Sequence, residues 1–298
     1  MARILVTTSI IFTALSTLVR ADIPTGTNGF SLVWGDDFNG GTNTAVNSNN
    51  WQFDLGTGYP GGASNWGTGE LEINTNDIEN CYQDGNGNLR IAPVRDSSGG
   101  WTSARIESVR DDFQAPPGGV MAIEAKIQLP NVSGDAAAGY FPAFWMLGTP
   151  FRNNYNNWPE VGEFDIMENV NGINKVFGTL HCGNSPGGNC NESNGLGGSL
   201  EGAYPPLQED YHIYRFEWDD GQQELRWYLD GQQFWTVDAA TVTEQTWQDF
   251  TSHPYFIILN VAIGGGFPSA LGGGPTDATE SGAPMLVDYV AVYEKEES

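Results

Sequence analysis

The stretch YHIYRFEWDDGQQELRWYLDGQQFWTV, residues 211–237, contains three short runs in which apolar and polar residues alternate. Alternation with a period of two turns one face of a strand towards a core and the other towards water. The runs are separated by Asp-Asp-Gly and Asp-Gly, which are typical turn sequences between antiparallel strands. The stretch therefore predicts a β-meander whose strands cover residues 211–218, 224–229 and 233–237.

The rest of the chain has the same character. Strand composition recurs at residues 89–94, 119–129, 255–263 and 285–293, whereas only residues 239–250 predict a short helix. The 39 glycines and 16 prolines are spread along the chain, which suits tight turns, and no linker or internal repeat divides it. We predict an all-β, single-domain antiparallel β-sandwich of two large sheets, with a concave face that offers a substrate groove.

Charge and the first residues restrict the setting in which the protein acts. The formal net charge of −25 argues strongly against nucleic acid and anionic membrane as partners but leaves a neutral polymer open. Residues 4–19 form an apolar run after Arg3, too short for a membrane span, and small residues follow it. We interpret residues 1–21 as a secretory signal and residues 22–298 as the mature, secreted chain, with an N-terminal anchor as the alternative. Removal of Arg3 and Arg20 would change the charge from −25 to −27.

The three cysteines fit an oxidising compartment. Cys182 and Cys190 flank a turn rich in Gly and Pro and are predicted to form a small-loop disulfide, while Cys81 is predicted to be buried. Three scattered cysteines and three histidines do not offer the set of ligands that zinc needs. Asn131 and Asn191 match the N-glycosylation acceptor pattern.

The segment GEFDIMEN, residues 162–169, poses a geometric question, because it carries Glu163, Asp165 and Glu168 within six residues. In a regular strand the first two share a face and the third lies on the other. One extra residue, a β-bulge, would return Glu168 to the face of the other two, and bulges are frequent beside active sites. We therefore predict a bulged strand with three acids on one face.

Three neighbouring carboxylates raise the pKa of at least one of them, which does not stabilise a fold. The arrangement suits a retaining glycosidase, in which one carboxyl group stays protonated while another about 5–5.5 Å away is ionised. The alternatives are a solvated face of a surface strand and a metal site.

At this point the chain resembles glycoside hydrolase family 16, and within it the laminarinase-like endo-β-1,3-glucanases with their concanavalin-like jelly roll. The signature Glu-x-Asp-x-x-Glu after Trp-Pro is matched by WPEVGEFDIME, residues 158–168, and the additional Met167 favours the laminarinase branch over the licheninases. The resemblance covers most of the mature chain. Further matches are VWGDDFNG (33–40), TSARI (102–106), FPAFWML (141–147), GTLH (178–181) and VDYVAVY (287–293).

The resemblance implies a role for each matching residue. Glu163 would be the nucleophile, Glu168 the general acid and then base, and Asp165 an assisting hydrogen-bond partner. The remaining substrate-binding residues implied are aromatic platforms, hydroxyl partners and weaker amide contacts, namely Trp145 and Trp158, Arg105 and His181, and Asn65 and Asn260. Each has a structural alternative: Trp145 as core, Arg105 paired with a surface acid, His181 packed on the disulfide, and both Asn residues as structural.

The resemblance also implies a structural Ca²⁺, held by oxygen ligands of the opening and closing strands, where Asp37 and Asp288 stand. No cofactor is expected for catalysis. Asp37 stands where the family often has Glu, and Phe267 stands where it often has Trp, which puts the metal site and one subsite in question.

The expected activity is secreted, retaining hydrolysis of β-1,3-glucan by a monomer, with mixed 1,3-1,4-glucans left open as a further substrate. A transglycosylase that remodels walls would use the same acids. A non-catalytic β-glucan-binding protein of the same fold usually lacks them, and the cluster also disfavours a lectin or adhesin.

Overall fold

The computed structural model of the chain describes residues 23–297, so the predicted signal segment lies outside the described residues. The described part is built mainly of strands, as the alternating sequence predicts. Its strands are β1 (Ser31–Asp36), β2 (Trp51–Asp54), β3 (Glu72–Asn74), β4 (Cys81–Gln83), β5 (Leu89–Ile91), β6 (Val94–Arg95), β7 (Trp101–Ser103), β8 (Arg105–Ser108), β9 (Val120–Gln128), β10 (Tyr140–Gly148), β11 (Glu163–Glu168), β12 (Lys175–His181), β13 (Leu196–Glu201), β14 (His212–Asp219), β15 (Glu224–Leu229), β16 (Gln232–Asp238), β17 (Tyr255–Ile263) and β18 (Met285–Lys295).

Two large antiparallel sheets form a sandwich. We call them the back sheet, with the order β16-β15-β14-β9-β18-β5-β4 and β1 added beside β18, and the front sheet, with the order β13-β12-β11-β10-β17-β8-β2. A small third sheet has the order β3-β7-β6. The predicted meander forms β14, β15 and β16 at one edge of the back sheet. The prediction of an all-β sandwich is confirmed.

The core lies between the two sheets. Phe164 of the front sheet stacks on Phe216 of the back sheet with 4.9 Å between ring centroids, and both are fully buried. Trp227 of β15 crosses the core, and its indole Nε1 donates a 2.8 Å hydrogen bond to the backbone carbonyl of Asp165. A Cβ on Gly178 would lie 2.5 Å from the Trp227 ring, so only glycine allows this approach.

Two local details differ from the prediction. The segment 89–94 is not one strand: it divides into β5 and β6 at Ala92-Pro93, since proline cannot donate a ladder hydrogen bond. The segment 239–250 holds two short helices, α1 (Ala239–Val242) and α2 (Glu244–Thr251), which meet at Thr243, where φ is +78°. A third helix, α3 (Gly266–Ala270), follows β17.

Short 3₁₀ turns complete the described part, at Ser64–Gly67, Gly134–Ala137 and Thr149–Asn153. The disulfide Cys182–Cys190 is present, and Cys81 is buried and unpaired with another cysteine, as predicted. Between residues 23 and 297, no helix has the length and apolar character that crossing a membrane would need.

Candidate active site

The acids share one face of β11 because the strand carries a β-bulge. Phe144 of β10 lies opposite Met167 of β11. The next residue of β10 lies opposite Asp165, so Ile166 faces no residue of β10. On the other side of the strand, the register with β12 also shifts between Asp165 and Glu168. The bulge predicted from the spacing of the acids is confirmed.

The bulge sorts the side chains of β11 into two sets. Phe164, Ile166 and Met167 are all fully buried in the core between the sheets. Glu163, Asp165 and Glu168 are turned to the opposite side, which we call the acid face of the front sheet. The burial of two successive apolar residues, Ile166 and Met167, is the structural signature of the inserted residue.

Three carboxylates and one imidazole meet on the acid face. His181 lies directly opposite Glu163 across β11 and β12, with 3.9 Å between His181 Nε2 and Glu163 Oε1. The same Nε2 is 3.5 Å from Asp165 Oδ2. Thr179, the next outward residue of β12, donates a 3.1 Å hydrogen bond from its hydroxyl to Glu168 Oε2. His181 therefore contacts the acids and does not serve only to pack on the disulfide.

The electrostatics separate the roles of the carboxyl groups. Burial raises the pKa of Glu168, the charge of His181 lowers it and the charge of Glu163 raises it again, to a value of about 7. Burial also raises the pKa of Glu163, but His181 and Arg105 both favour its charged form. Burial and then the charges of Glu168 and Glu163 raise the pKa of Asp165 well above its ordinary value. At neutral pH the cluster therefore retains protons, and Glu163 has Arg105 as a second cationic neighbour in addition to His181.

Arg105 of β8 is buried beside an acid and between aromatic rings. Its Nε donates a 3.0 Å hydrogen bond to Oδ2 of Asp54, which is itself buried. The guanidinium carbon lies 4.5 Å from the ring centroid of Trp66 and 4.6 Å from that of Trp145. The acid paired with Arg105 is thus buried, not a surface acid, and the guanidinium is positioned to favour an ionised Glu163.

Trp145 and Asn260 form a pair on the same face. The indole Nε1 of Trp145 donates a 2.8 Å hydrogen bond to Oδ1 of Asn260. Trp145 is half-buried and packs on a small apolar cluster that includes Leu147 and Ile258. The residue is therefore partly core, and its indole nitrogen is already engaged.

Trp158 joins the acids, whereas the backbone hydrogen bonds of Asn65 stay within its own loop. The Trp158 ring lies 5.3 Å from the His181 ring, and a hydrogen bond from Trp158 to Glu163 lowers the pKa of that carboxyl. Asn65 is exposed on the turn Ser64–Gly67, and its backbone carbonyl accepts hydrogen bonds from Thr68, Gly69 and Glu70 within the same loop.

Trp66 and Glu192 are among the residues of the site that were missed from the sequence. Trp66 covers Arg105, whereas the sequence predicted only its neighbour Asn65. Glu192 is 5% exposed, and its Oε2 lies 2.8 Å from Nδ1 of His181. Neither the Gly-rich loop around Trp66 nor the Gly-rich segment around Glu192 has a local pattern that links it to Arg105 or to His181.

Both carboxylates that were predicted to bind calcium already have protein partners. Asp288 of β18 forms an ion pair with Lys126 of β9, and Asp37 accepts a hydrogen bond from Asn39. Ca²⁺ prefers six to eight oxygen ligands without a competing ammonium group. In this arrangement the two carboxylates do not form such a set of ligands. Structural Ca²⁺ stays a prediction, and no step of the proposed reaction depends on it.

Comparisons with known proteins agree with this geometry. The family model described as "Glycosyl hydrolases family 16" matches residues 119–290. The solved structure of an endo-1,3-β-glucanase from Streptomyces sioyaensis is 55% identical, with a TM-score of 0.91, and the match covers 93% of this chain and 100% of that chain.

Two curated relatives are longer than this chain. Glucan endo-1,3-beta-glucosidase A1 from Niallia circulans is 30% identical over 90% of this chain and 38% of its own length. The clotting factor G alpha subunit from Tachypleus tridentatus is 32% identical over 89% of this chain and 34% of its own length. The chain thus spans between a third and two fifths of these two relatives.

Proposed function

Because the chain belongs to glycosyl hydrolases family 16, we propose that it is a retaining endo-β-1,3-glucanase that cleaves β-1,3-glucan by double displacement. The observation that carries the proposal is the pair Glu163 and Glu168 on one face of a bulged strand, with the pKa of Glu168 at about 7. The similarity to proteins named as endo-1,3-β-glucanases supports the substrate class. The Cys182–Cys190 disulfide supports an extracellular location.

In the first step Glu163, ionised beside His181 and Arg105, attacks the anomeric carbon of the bound sugar. The bond from that carbon to the glycosidic oxygen breaks as Glu168 donates its proton to the leaving oxygen. The product is a glycosyl ester on Glu163 and a shortened glucan with a new hydroxyl group. Burial of Glu168 keeps a proton available at neutral pH, which is what this step requires.

In the second step Glu168, now ionised, takes a proton from water as the water oxygen attacks the anomeric carbon. The ester to Glu163 breaks, and the sugar leaves with its original configuration. Asp165, 3.5 Å from His181 and with a raised pKa, keeps a proton within the cluster between the two steps.

Product analysis on laminarin, curdlan, lichenan and a β-1,6-glucan tests the proposal. We expect short oligosaccharides from laminarin and curdlan, and early ¹H NMR spectra that show the β-anomer first. An initial α-anomer would overturn retention. Products longer than the donor would indicate a transglycosylase, and binding without hydrolysis would indicate a non-catalytic glucan-binding protein.

A further inference from the structure

Glu192 lies beside His181 and takes no direct part in the proposed reaction. Its side chain is fully buried, and both carboxylate oxygens have defined partners. Oε2 lies 2.8 Å from His181 Nδ1, and Oε1 accepts a 2.8 Å hydrogen bond from the backbone N–H of Cys182. The same carboxylate therefore holds the last residue of β12 and the residue that follows it.

The covalent structure fixes the loop that carries Glu192. Cys190 lies two residues before Glu192 and is bonded to Cys182, whose N–H the carboxylate accepts. The loop is closed again by backbone hydrogen bonds in both directions between Gly187 and Glu192. A buried carboxylate with this many constraints is set in position before any substrate arrives.

The surroundings of His181 define which ring nitrogen carries a proton. An ionised Glu192 only accepts, so Nδ1 donates to it and Nε2 faces the acids of β11. The acidic groups around the ring are Glu192 on the loop and Glu163, Asp165 and Glu168 on β11. Burial alone would lower the pKa of His181, but the hydrogen bond to Glu192 and the negative charges of Glu163, Glu192 and Glu168 raise it above its ordinary value.

We propose that Glu192 is a positioning residue for the reaction, which holds His181 as an imidazolium whose Nε2–H is directed at Glu163 and Asp165. The proposal rests on the proposed function, because its effect on rate is exerted through the nucleophile. It also gives the disulfide a role, since Cys182–Cys190 fixes the loop that carries the carboxylate.

Two opposing effects of Glu192 on Glu163 allow a sharp test. Glu192 disfavours the charged form of Glu163 directly and so raises the pKa of Glu163. The cationic His181 that Glu192 holds favours the charged form and lowers that pKa. The attraction by His181 is the larger of the two. Removal of the Glu192 charge should therefore raise the pKa of Glu163 if His181 loses its proton, and lower it if His181 stays charged.

The experiment compares Glu192→Gln with the wild type and with Asp230→Asn. The control removes a similar pair on the back sheet, where His212 Nδ1 lies 2.6 Å from Asp230 Oδ2. The pKa of His181 is measured by ¹⁵N NMR without substrate. For Glu192→Gln we expect the pKa of His181 to fall far enough for the ring to be neutral where Glu163 titrates. The acidic limb of kcat/KM on laminarin should then move to higher pH, and kcat should drop about tenfold. Asp230→Asn should change none of these.

The inference is overturned if His181 titrates identically in folded Glu192→Gln and wild type, or if the acidic limb moves to lower pH. Should Glu192→Gln fail to fold, the wild type decides alone: a His181 pKa at or below the ordinary value of about 6.5, or a proton absent from Nδ1 in the neutral ring, contradicts the proposal. A wild type without hydrolytic activity would instead overturn the proposed function, and the NMR result would still stand.

Discussion

The outward faces of the two sheets differ in how their acidic side chains are paired with basic ones. On the back sheet Arg226 makes ion pairs of 2.7–3.2 Å with Glu217, Asp219 and Glu224. Nearby, Arg215 pairs with Glu124 at 3.2 Å and also with Glu217. The acids of this face therefore lie beside guanidinium groups that offset their charge.

On the front sheet the acids lie beside one another. Glu163 and Asp165 have His181 as the basic residue in contact with them, and its charge also acts on Glu168. Arg105 is hydrogen-bonded to Asp54. The chain has only 12 Lys and Arg against 37 Asp and Glu, so a cluster of acids with few basic neighbours is informative. The comparison teaches that acids which outnumber their basic neighbours, rather than acids in general, mark the chemistry.

The largest effect is expected from exchanging one acid on each face. Glu163→Gln should reduce kcat on laminarin by roughly 10⁴-fold, because an amide cannot form the glycosyl ester. Glu217→Gln, the matched change on the back sheet, should leave kcat within about twofold, since its partners are only Arg and Tyr side chains of that face. Equal losses in the two variants, with both folded, would show that the comparison is mistaken.

A second prediction separates the two catalytic acids. Glu168→Gln should slow cleavage of laminarin by about 10²–10⁴-fold, because the leaving oxygen no longer receives a proton. An aryl β-glucoside oligomer with a dinitrophenolate leaving group needs no such proton, so its first step should be nearly normal. A burst of dinitrophenolate measured by stopped flow checks this, and a loss equal to that on laminarin would contradict the role of Glu168.

The pH dependence gives a third, smaller effect. Glu168 must be protonated to act, and burial together with the Glu163 charge raises its pKa to about 7. Activity is therefore present below this value, and kcat/KM should fall as the pH rises through about 7. Initial rates on laminarin between pH 4 and 9 measure it, with kcat/KM of Glu217→Gln as a control expected to follow the same curve. A plateau to pH 9 would contradict a buried, shared proton.

The smallest effect is expected on the back sheet. Arg226→Gln leaves Glu217, Asp219 and Glu224 without their shared cation and should lower the free energy of unfolding by about 1 kcal/mol. Its kcat should equal that of the wild type. Urea unfolding followed by Trp fluorescence checks the first statement, and a kcat changed by tenfold would show that the two faces are coupled.

The sequence predicted what depends on local pattern. The strand β17, residues 255–263, and the strand β15, residues 224–229, have the predicted bounds because unbroken apolar or alternating runs define them. The bulge in β11 followed from the spacing of its acids, since a regular strand could not bring Glu168 beside Glu163. His181, Trp158 and Arg105 were found through the family resemblance, and the structure places them with the acids.

Other parts of the site depend on contacts that no local pattern records. Glu192 meets His181 only because the segment after Cys190 folds back along β12, and a Gly-rich sequence has no periodicity from which to predict this. Trp66 covers Arg105 from a loop far from β8 in the chain, so the alternatives considered for Arg105 did not include it. The two carboxylates matched to calcium have partners, Lys126 and Asn39, whose proximity is a property of the folded sheet.

The hydrogen bond from Trp227 to the carbonyl of Asp165 has a consequence for how such an enzyme diversifies. It holds the bulge from behind, through the core, and does not involve the loops that border the acid face. Loop residues that border the acid face without contacting its acids, His181 or Arg105 can therefore be exchanged in ways that alter which polymer is bound while the spacing of the acids stays constant. Proteins built on this sandwich can thus bind different polymers while the arrangement of their acids stays constant.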